Sequence, residues 1–389
     1  MTKNILIDYR VSDTQKYLGN SFPPLIYDYL KNNSDYKIFS LSDKKIPKID
    51  LLFIINGGSH WTYKDIKFKN FHLNQIIIWI YPKLKKYIIW LGYFFGLYKL
   101  KYYHRHLFRN KSYEKHIDTL IKSNPKIKII HRIDGSYQTI CKVYGYDETI
   151  KYINDKADLT IHQSNYSKQN WEKGNTTIFG KSVKLKSKKS IIISNGVNTK
   201  IFKPLINSNE KKTQWKILHV SASSNPKKGL YKLLELAYCV KNNKNIQFSL
   251  IGKQIFDPVC GSDIKYFNNV KYLGDILDRN KIAEIYKSCD VLYFPSIEDC
   301  SPNVILEAMA CGLPILTTNS GGIKDLIYKD ENLRGGVFID ENNPVLSLDF
   351  LIRNYDEYVK NTKIIISKYH NDENTLKKYS ESIKSLLIE

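Results

Sequence analysis

The stretch from Pro295 to Asp325, PSIEDCSPNVILEAMACGLPILTTNSGGIKD, decides how this chain is read. It grows out of Val291–Pro295 (VLYFP), a short apolar run with the β-branched and aromatic residues of a buried strand. The helical spacing of Pro302–Ala310 follows, with Pro at the start, where its missing N–H costs no intrahelical bond. Pro314–Thr317 then reads as a second strand and Gly322–Ile327 as a short second helix. Strand and helix alternating at this pace require parallel strands with helices packed on both faces of the sheet. Four carboxylates punctuate the stretch, the last of them Asp325 at its end. Glu298 and Asp299 lie in the loop after the strand, and Glu307 lies in the first turns of the helix, eight residues beyond Asp299.

The alternation continues on both sides. Upstream, Trp215–Ser221 (WKILHVS) and Ile246–Ile251 (IQFSLI) read as strands around a helix at Gly229–Val240. Val270–Leu273 is a further strand, Arg279–Ser288 a helix, and Gly336–Ile339 (GVFI) the last strand before helical sequence to Glu389. The first half is less regular: Asn4–Asp8, Leu51–Asn56, Gln75–Ile80, Lys126–His131, Leu159–His162 and Ser190–Ser194 read as strands. Asn195–Pro204 and the polar run Asn207–Thr213 make the best boundary, dividing the chain near residue 200. Two doubly wound domains result, with ligands expected beyond the carboxyl ends of their strands and in the cleft between them.

Bulk properties agree with a folded two-domain chain of 389 residues, 42% hydrophobic and 25% charged, without low-complexity tracts or repeats. The net charge of +22 admits nucleic acid, an anionic membrane or phosphorylated substrates as partners. Lys supplies nearly all of it and is abundant together with Asn, Ile and Tyr, a compositional bias that accounts for part of the excess. Base-reading proteins favour the bidentate fork of Arg, so nucleic acid is the minor reading. The six cysteines are scattered without CxxC or zinc spacing, as in a reducing compartment, and the opening MTKNILIDYR lacks the pattern of a secretory leader. One segment, 75–103, mixes aromatic residues with lysines and suits a membrane interface. Pro82, Lys83, Lys85 and Lys86 interrupt it, so it cannot span a bilayer. A buried strand followed by a half-exposed helix is the equal alternative.

The motif positions carry their own chemistry. A carboxylate such as Glu307 accepts hydrogen bonds from two adjacent sugar hydroxyls, which suits a ribose. Free amides at the helix start, around Ser301, Asn303 and Val304, suit a diphosphate. Upstream, His219–Gly229 (HVSASSNPKKG) places Lys227 and Lys228 between a strand and a helix. In the first half, Ile129–Tyr137 (IIHRIDGSY) places His131 at a strand end beside Arg132 and Asp134. Gly19 in YLGNSF and the loop Asn56–His60 (NGGSH) follow other strands of that half.

The frame of two acids eight apart, then A-M-A-x-G-x-P, then G-G before another acid, closely resembles the signature of glycosyltransferase family 4, retaining enzymes of the GT-B fold. Tyr272–Ser296 and Ile192–Pro204 (IISNGVNTKIFKP) resemble the same family, and the likeness runs well from about residue 190 to 340. It implies GT-B architecture, two Rossmann-like domains facing across a cleft: an acceptor domain over 1–200, a nucleotide-sugar domain over 201–375, and a helix at 376–389 packing back on the first. It also implies transfer of a hexose from a UDP- or GDP-sugar to an acceptor hydroxyl in glycan or glycolipid synthesis, with retention and without metal or other cofactor. By that likeness Asp299 and His131 position the sugar and Glu307 holds the ribose. Lys228 meets the diphosphate, and Gly19 lets backbone approach it. Two positions depart from the family frame: Asp299 replaces Glu, with Glu298 one residue earlier as the other candidate, and Ser223 replaces the Arg five residues before Lys228. The implied setting is cytoplasmic, peripheral on an anionic membrane, with a lipid-linked glycan as acceptor. A nucleotide-sugar epimerase or phosphorylase on the same plan stays open. So does a basic protein that binds nucleic acid or membrane without catalysis.

Overall fold

The structure, a computed structural model, describes residues 2–8, 22–43, 45–55, 110–136, 145–174, 182–204, 212–221, 226–252 and 267–388. Gly19, Ser223, the loop 56–60, the strand expected at 75–80 and the segment 75–103 lie outside the described residues.

In the first domain β1 (Asn4–Ile7), β2 (Lys37–Ser40), β3 (Leu51–Ile55), β4 (Lys128–Ile133), β5 (Leu159–His162) and β6 (Ser190–Ile192) form one parallel sheet in the order β2-β1-β3-β4-β5-β6. Its central strand β3 is buried from end to end, which is why LLFII reads as a continuous apolar run rather than an alternating one. Helices α1 (Phe22–Asn33), α2 (Lys111–Ser123), α3 (Gly145–Asn154) and α4 (Asn165–Lys173) connect and flank the strands. α4 is held by Trp171, fully buried, whose indole N–H donates to the Asp134 carbonyl at 2.7 Å.

The second domain repeats the plan with β7 (Trp215–Ser221), α5 (Leu230–Cys239), β8 (Ile246–Gly252), β9 (Val270–Gly274), α6 (Arg279–Lys287), β10 (Val291–Phe294), α7 (Asn303–Ala310), β11 (Ile315–Thr317) and α8 (Ile323–Ile327). A small antiparallel pair, β12 (Tyr328–Asp330) and β13 (Leu333–Arg334), precedes β14 (Gly336–Phe338) and the helices α9 (Pro344–Arg353) and α10 (Tyr355–Ile365). The sheet order is β14-β11-β10-β7-β8-β9, parallel throughout. Chain direction across the sheet therefore reverses between β7 and β10, and the crevice at their carboxyl ends is where such sheets bind ligands.

The chain crosses between domains twice. The first crossing is Asn195–Pro204. The second is a π-helical turn, Ile366–His370, leading into α11 (Asp372–Ile388). The two run side by side: Val197 N–H donates to the His370 carbonyl at 2.9 Å, and Asp372 N–H donates back to the Val197 carbonyl at 3.2 Å. α11 then lies on the first sheet, where Leu376, Tyr379, Ile383 and Leu386 share a core with Ile5, Phe53 and Ile130. Burying each such side chain contributes about 1.5–3 kcal/mol. Two parallel sheets with this pairing are the GT-B arrangement. Among the described residues no helix is long and apolar enough to cross a membrane.

Three interior histidines set the acid limit of the fold. Burial, reinforced by nearby lysine charge, pushes the imidazoles of His162 and His370 down to about 3 and that of His219 down to about 4. They fold neutral, whereas in the unfolded chain they take up protons below about pH 6.5. Stability therefore falls as the pH drops from about 6.5 toward 4, each histidine contributing up to about 1.4 kcal/mol per pH unit. Urea midpoints at pH 7 and pH 5 measure this. Equal midpoints would contradict buried neutral imidazoles.

Candidate functional site

A cleft of about 410 Å³ opens at the carboxyl ends of β7 and β10 and is closed on its other side by the first domain. The second domain supplies Val220, Ser221, Lys228, Phe294 and the loop from Glu298 to Val304; the first supplies Phe22, Arg132, Asp134 and Gln163. Asn195 of the first crossing and Asp372 and Thr375 of α11 complete the wall.

The two loops bearing the charged residues are tied together by backbone. A single 3₁₀ turn, Pro226–Lys228, follows β7, and its Lys227 carbonyl accepts from Ile297 N–H at 2.8 Å and Ser296 Oγ at 3.2 Å. Gly229 ends the turn at φ +77°, where an added Cβ would stand 2.3 Å from the Pro295 carbonyl oxygen. Only glycine allows that approach. The acid loop is braced from behind, since Ser320 Oγ donates to the Ser296 carbonyl at 2.7 Å and Gly322 N–H to the Asp299 carbonyl at 2.8 Å. Adjacent lysines thereby face adjacent acids: Lys228 pairs with Asp299 Oδ2, and Lys227 with Glu298 Oε2 at 2.8 Å.

The two candidate acids, of which the eight-residue spacing favours Asp299, are in different surroundings. Both oxygens of Glu298 are engaged, Oε2 by Lys227 and Oε1 by the Tyr166 hydroxyl, which donates at 2.7 Å from the first domain. Asp299 lies beside Lys228, and its Oδ1 accepts only a long bond, 3.4 Å, from Ser301 N–H. Helix α7 starts next to them with Pro302 as its cap and no side chain bonded to its first amides. Ser301 Oγ is buried there without a hydrogen-bond partner. Two uncapped amides (Asn303 and Val304), an unpaired hydroxyl and an ammonium on one wall form an anion-binding surface.

Glu307 stands apart from that surface. It is 5% exposed and does not line the cleft; Arg279 of α6 donates to its Oε1 at 2.7 Å, and Tyr286 OH approaches Oε2 at 3.4 Å. Burial raises its carboxyl above the ordinary range, with the Arg279 charge opposing. His131 is likewise fully buried and outside the cleft lining; its Nδ1 lies 3.5 Å from the Asn154 amide nitrogen of α3. Side chains alternate across a strand, so the neighbouring Arg132 takes the cleft side. The Arg132 guanidinium reaches Asp134 at 2.9 Å, Asn195 at 2.9 Å and the Tyr379 hydroxyl at 3.0 Å, with Phe22 under its plane. Asn195 passes the link on, donating to Gln163 and across the cleft to the Ser301 carbonyl at 3.1 Å and Asn303 Oδ1 at 3.0 Å.

Arg279, Asn195 and Tyr166 were not singled out from the sequence. In a chain so poor in Arg, an Arg where Lys would serve for charge alone is a signal for planar pairing, and it marks both Arg132 and Arg279. Among the described residues no group of three His, Cys, Asp or Glu side chains is placed to hold a metal ion.

Residues 214–354 match the family model of glycosyl transferases, group 1. Over 161 residues the chain is 31% identical to the N,N'-diacetylbacillosaminyl-diphospho-undecaprenol alpha-1,3-N-acetylgalactosaminyltransferase of Campylobacter jejuni, covering 38% of this chain and 41% of that protein. Over 217 residues it is 30% identical to the UDP-Gal:alpha-D-GlcNAc-diphosphoundecaprenol alpha-1,3-galactosyltransferase of Escherichia coli, covering 51% and 54%. The matches thus span about half the length of these relatives. The fold is similar along the whole chain to two solved structures. Anabaena HepE with UDP and glucose has a TM-score of 0.60 at 17% identity, over 99% of this chain and 100% of that one. A sucrose-phosphate synthase from Thermosynechococcus elongatus has a TM-score of 0.60 at 15% identity, over 100% of both.

Removing Arg279 strands a buried carboxylate. Arg279→Ala is expected to cost about 2–3 kcal/mol, read as a lower urea midpoint. Because burial raises the Glu307 carboxyl, the cost grows as pH rises from about 4 to 7, where the unfolded chain ionises freely. A deficit independent of pH would show that Glu307 is not the group left unpaired.

Proposed function

We propose that this chain, whose residues 214–354 match the glycosyl transferases group 1 model, moves a hexose from a nucleotide-sugar to an acceptor hydroxyl with retention at the anomeric carbon. The observation that carries the reading is the convergence of Lys228, Ser301 Oγ and the uncapped start of α7 beside Asp299, at the point where the sheet order reverses.

In this reading the α7 amides, Ser301 and Lys228 take the donor diphosphate. Lys228 leaves Asp299 to do so, and the released Asp299 carboxylate accepts from a hydroxyl of the transferred sugar. The anomeric carbon–oxygen bond to the diphosphate breaks and a bond to the acceptor oxygen forms on the same face. The acceptor proton passes to the departing phosphate oxygen. Charge grows on that oxygen in the transition state, and the α7 amides together with the ammonium drawn over on binding stabilise it. Arg132, on the opposite wall, faces this chemistry from the acceptor side. Glu307 serves the ribose by exchanging one of its present partners for the sugar hydroxyls, with Arg279 keeping it ionised.

UDP is the preferred donor nucleotide, supported by the E. coli relative, whose name specifies a UDP-sugar, and by the UDP held in HepE. The two relatives whose acceptors are diphosphate-linked undecaprenol support a lipid-linked acceptor. The same reading places the enzyme peripherally on the cytoplasmic face and asks for no resident metal or cofactor.

Calorimetric titration of UDP, GDP and their common sugar conjugates into wild type, Lys228→Ala and Glu307→Ala tests this. One nucleotide is expected to bind, about tenfold or more weaker to either variant, since each removes a charged contact. Its affinity in the wild type should decline on acidification from a higher pH than an exposed glutamate would set, because burial raises the Glu307 carboxyl. Failure of wild type to bind any of these ligands would sink the reading and leave the binding-protein alternative.

A further inference from the structure

Besides the crossings, the second domain grips the first at the opening turn of α4. Ser164 caps this nine-residue helix, its Oγ accepting from Ser167 N–H at 3.1 Å. The next amide, Asn165 N–H, has no partner within its own helix; it donates to Asp325 Oδ2 of the second domain at 3.0 Å. A carboxylate at a helix start is favoured by the orphan amide and the dipole together. One residue on, the Tyr166 hydroxyl donates to Glu298 at 2.7 Å, and burial together with that carboxylate keeps the phenol protonated. The surfaces fit without slack. A Cβ on Gly322 would stand 2.7 Å from Ser164 Oγ of the first domain.

We propose that Glu298 and Asp325 are positioning residues that clasp the first turn of α4 and fix the closed cleft, and that Glu298 is not a donor ligand. The catalytic part of this rests on the transferase reading; the mechanical part does not. Glu298 also joins the clasp to the donor wall. Its second oxygen holds Lys227, next to the lysine that faces Asp299. A diphosphate that draws Lys228 toward α7 therefore acts on the same 3₁₀ turn that steadies Glu298 against Tyr166. Water competes with the acceptor hydroxyl for the donor sugar, so a cleft that fails to close spends donor on hydrolysis.

The test uses Tyr166→Phe combined with Asp325→Ala, which remove the donating hydroxyl at one contact and the accepting carboxylate at the other. Small-angle X-ray scattering of the unliganded protein is expected to show a larger radius of gyration for the double variant, with an unfolding temperature within a few degrees of wild type. With the nucleotide that wild type binds, affinity is expected to hold within about twofold. The ratio of donor hydrolysis to transfer should rise about tenfold, and kcat for transfer should fall without a matching rise in donor KM. Scattering and transfer both unchanged would overturn the clasp. So would Glu298→Gln abolishing nucleotide binding while the scattering curve stays that of wild type, because Glu298 would then be a donor ligand. If no nucleotide binds wild type, the transferase reading fails alone, and the scattering comparison still decides the clasp.

Discussion

One guanidinium organises the region where the two domains meet. Arg132 is only 2% exposed, yet its charge is matched on every side: Asp134 from its own strand end, Asn195 from the first crossing, Tyr379 from the helix after the second, and the Phe22 ring beneath. A buried cation is tolerated only when its donors are satisfied in this way. Satisfying them requires residues far apart in sequence to converge, so the placement of both crossings follows from the one charge. Asn195 then extends the network to Ser301 and Asn303, which couples the walls of the cleft through a single amide.

From this base the cleft acquires a division of labour. The second domain provides the anion-binding surface at α7 and the paired lysines of the 3₁₀ turn. The first provides Arg132, Asp134 and Gln163 opposite. In the unliganded state the lysines and acids neutralise one another, which keeps a highly charged site compact without substrate. On the proposed reading the Lys228–Asp299 pair gives way to ligand, while the Lys227–Glu298 pair stays in place.

The second domain was legible because its strands are buried on both faces and separated by helices of clear spacing; Trp215–Ser221 has the bounds read from its sequence. The neighbourhood of Lys228, Asp299 and Ser301 was legible for the same reason, since strand ends and helix starts fix where loops converge. What stayed hidden depends on tertiary contact. The edge strand Lys37–Ser40 is half exposed and too short for a pattern to show. The strand around His131 is buried on both faces and carries a polar side chain on each, so its sequence does not say which of two neighbouring side chains faces the cleft, and Arg132 rather than His131 does. Glu298 and Asp299 are adjacent in sequence; what gives them different surroundings is Tyr166, 132 residues away from Glu298. Arg279 is 28 residues from Glu307 and joins it only when α6 and α7 pack together.

The return of α11 to the first sheet has a consequence for how the molecule is made. Leu376, Tyr379, Ile383 and Leu386 fill a core otherwise composed of residues before 200, and Tyr379 occupies one donor of Arg132. During synthesis, a ribosome that has released residues 1–204 has released a domain with an open hydrophobic face and an incompletely bonded buried charge. The second domain has no such debt and can fold as it emerges. The first reaches its final state only after residues 372–388 arrive, so the usual order of domain maturation along a nascent chain is inverted here.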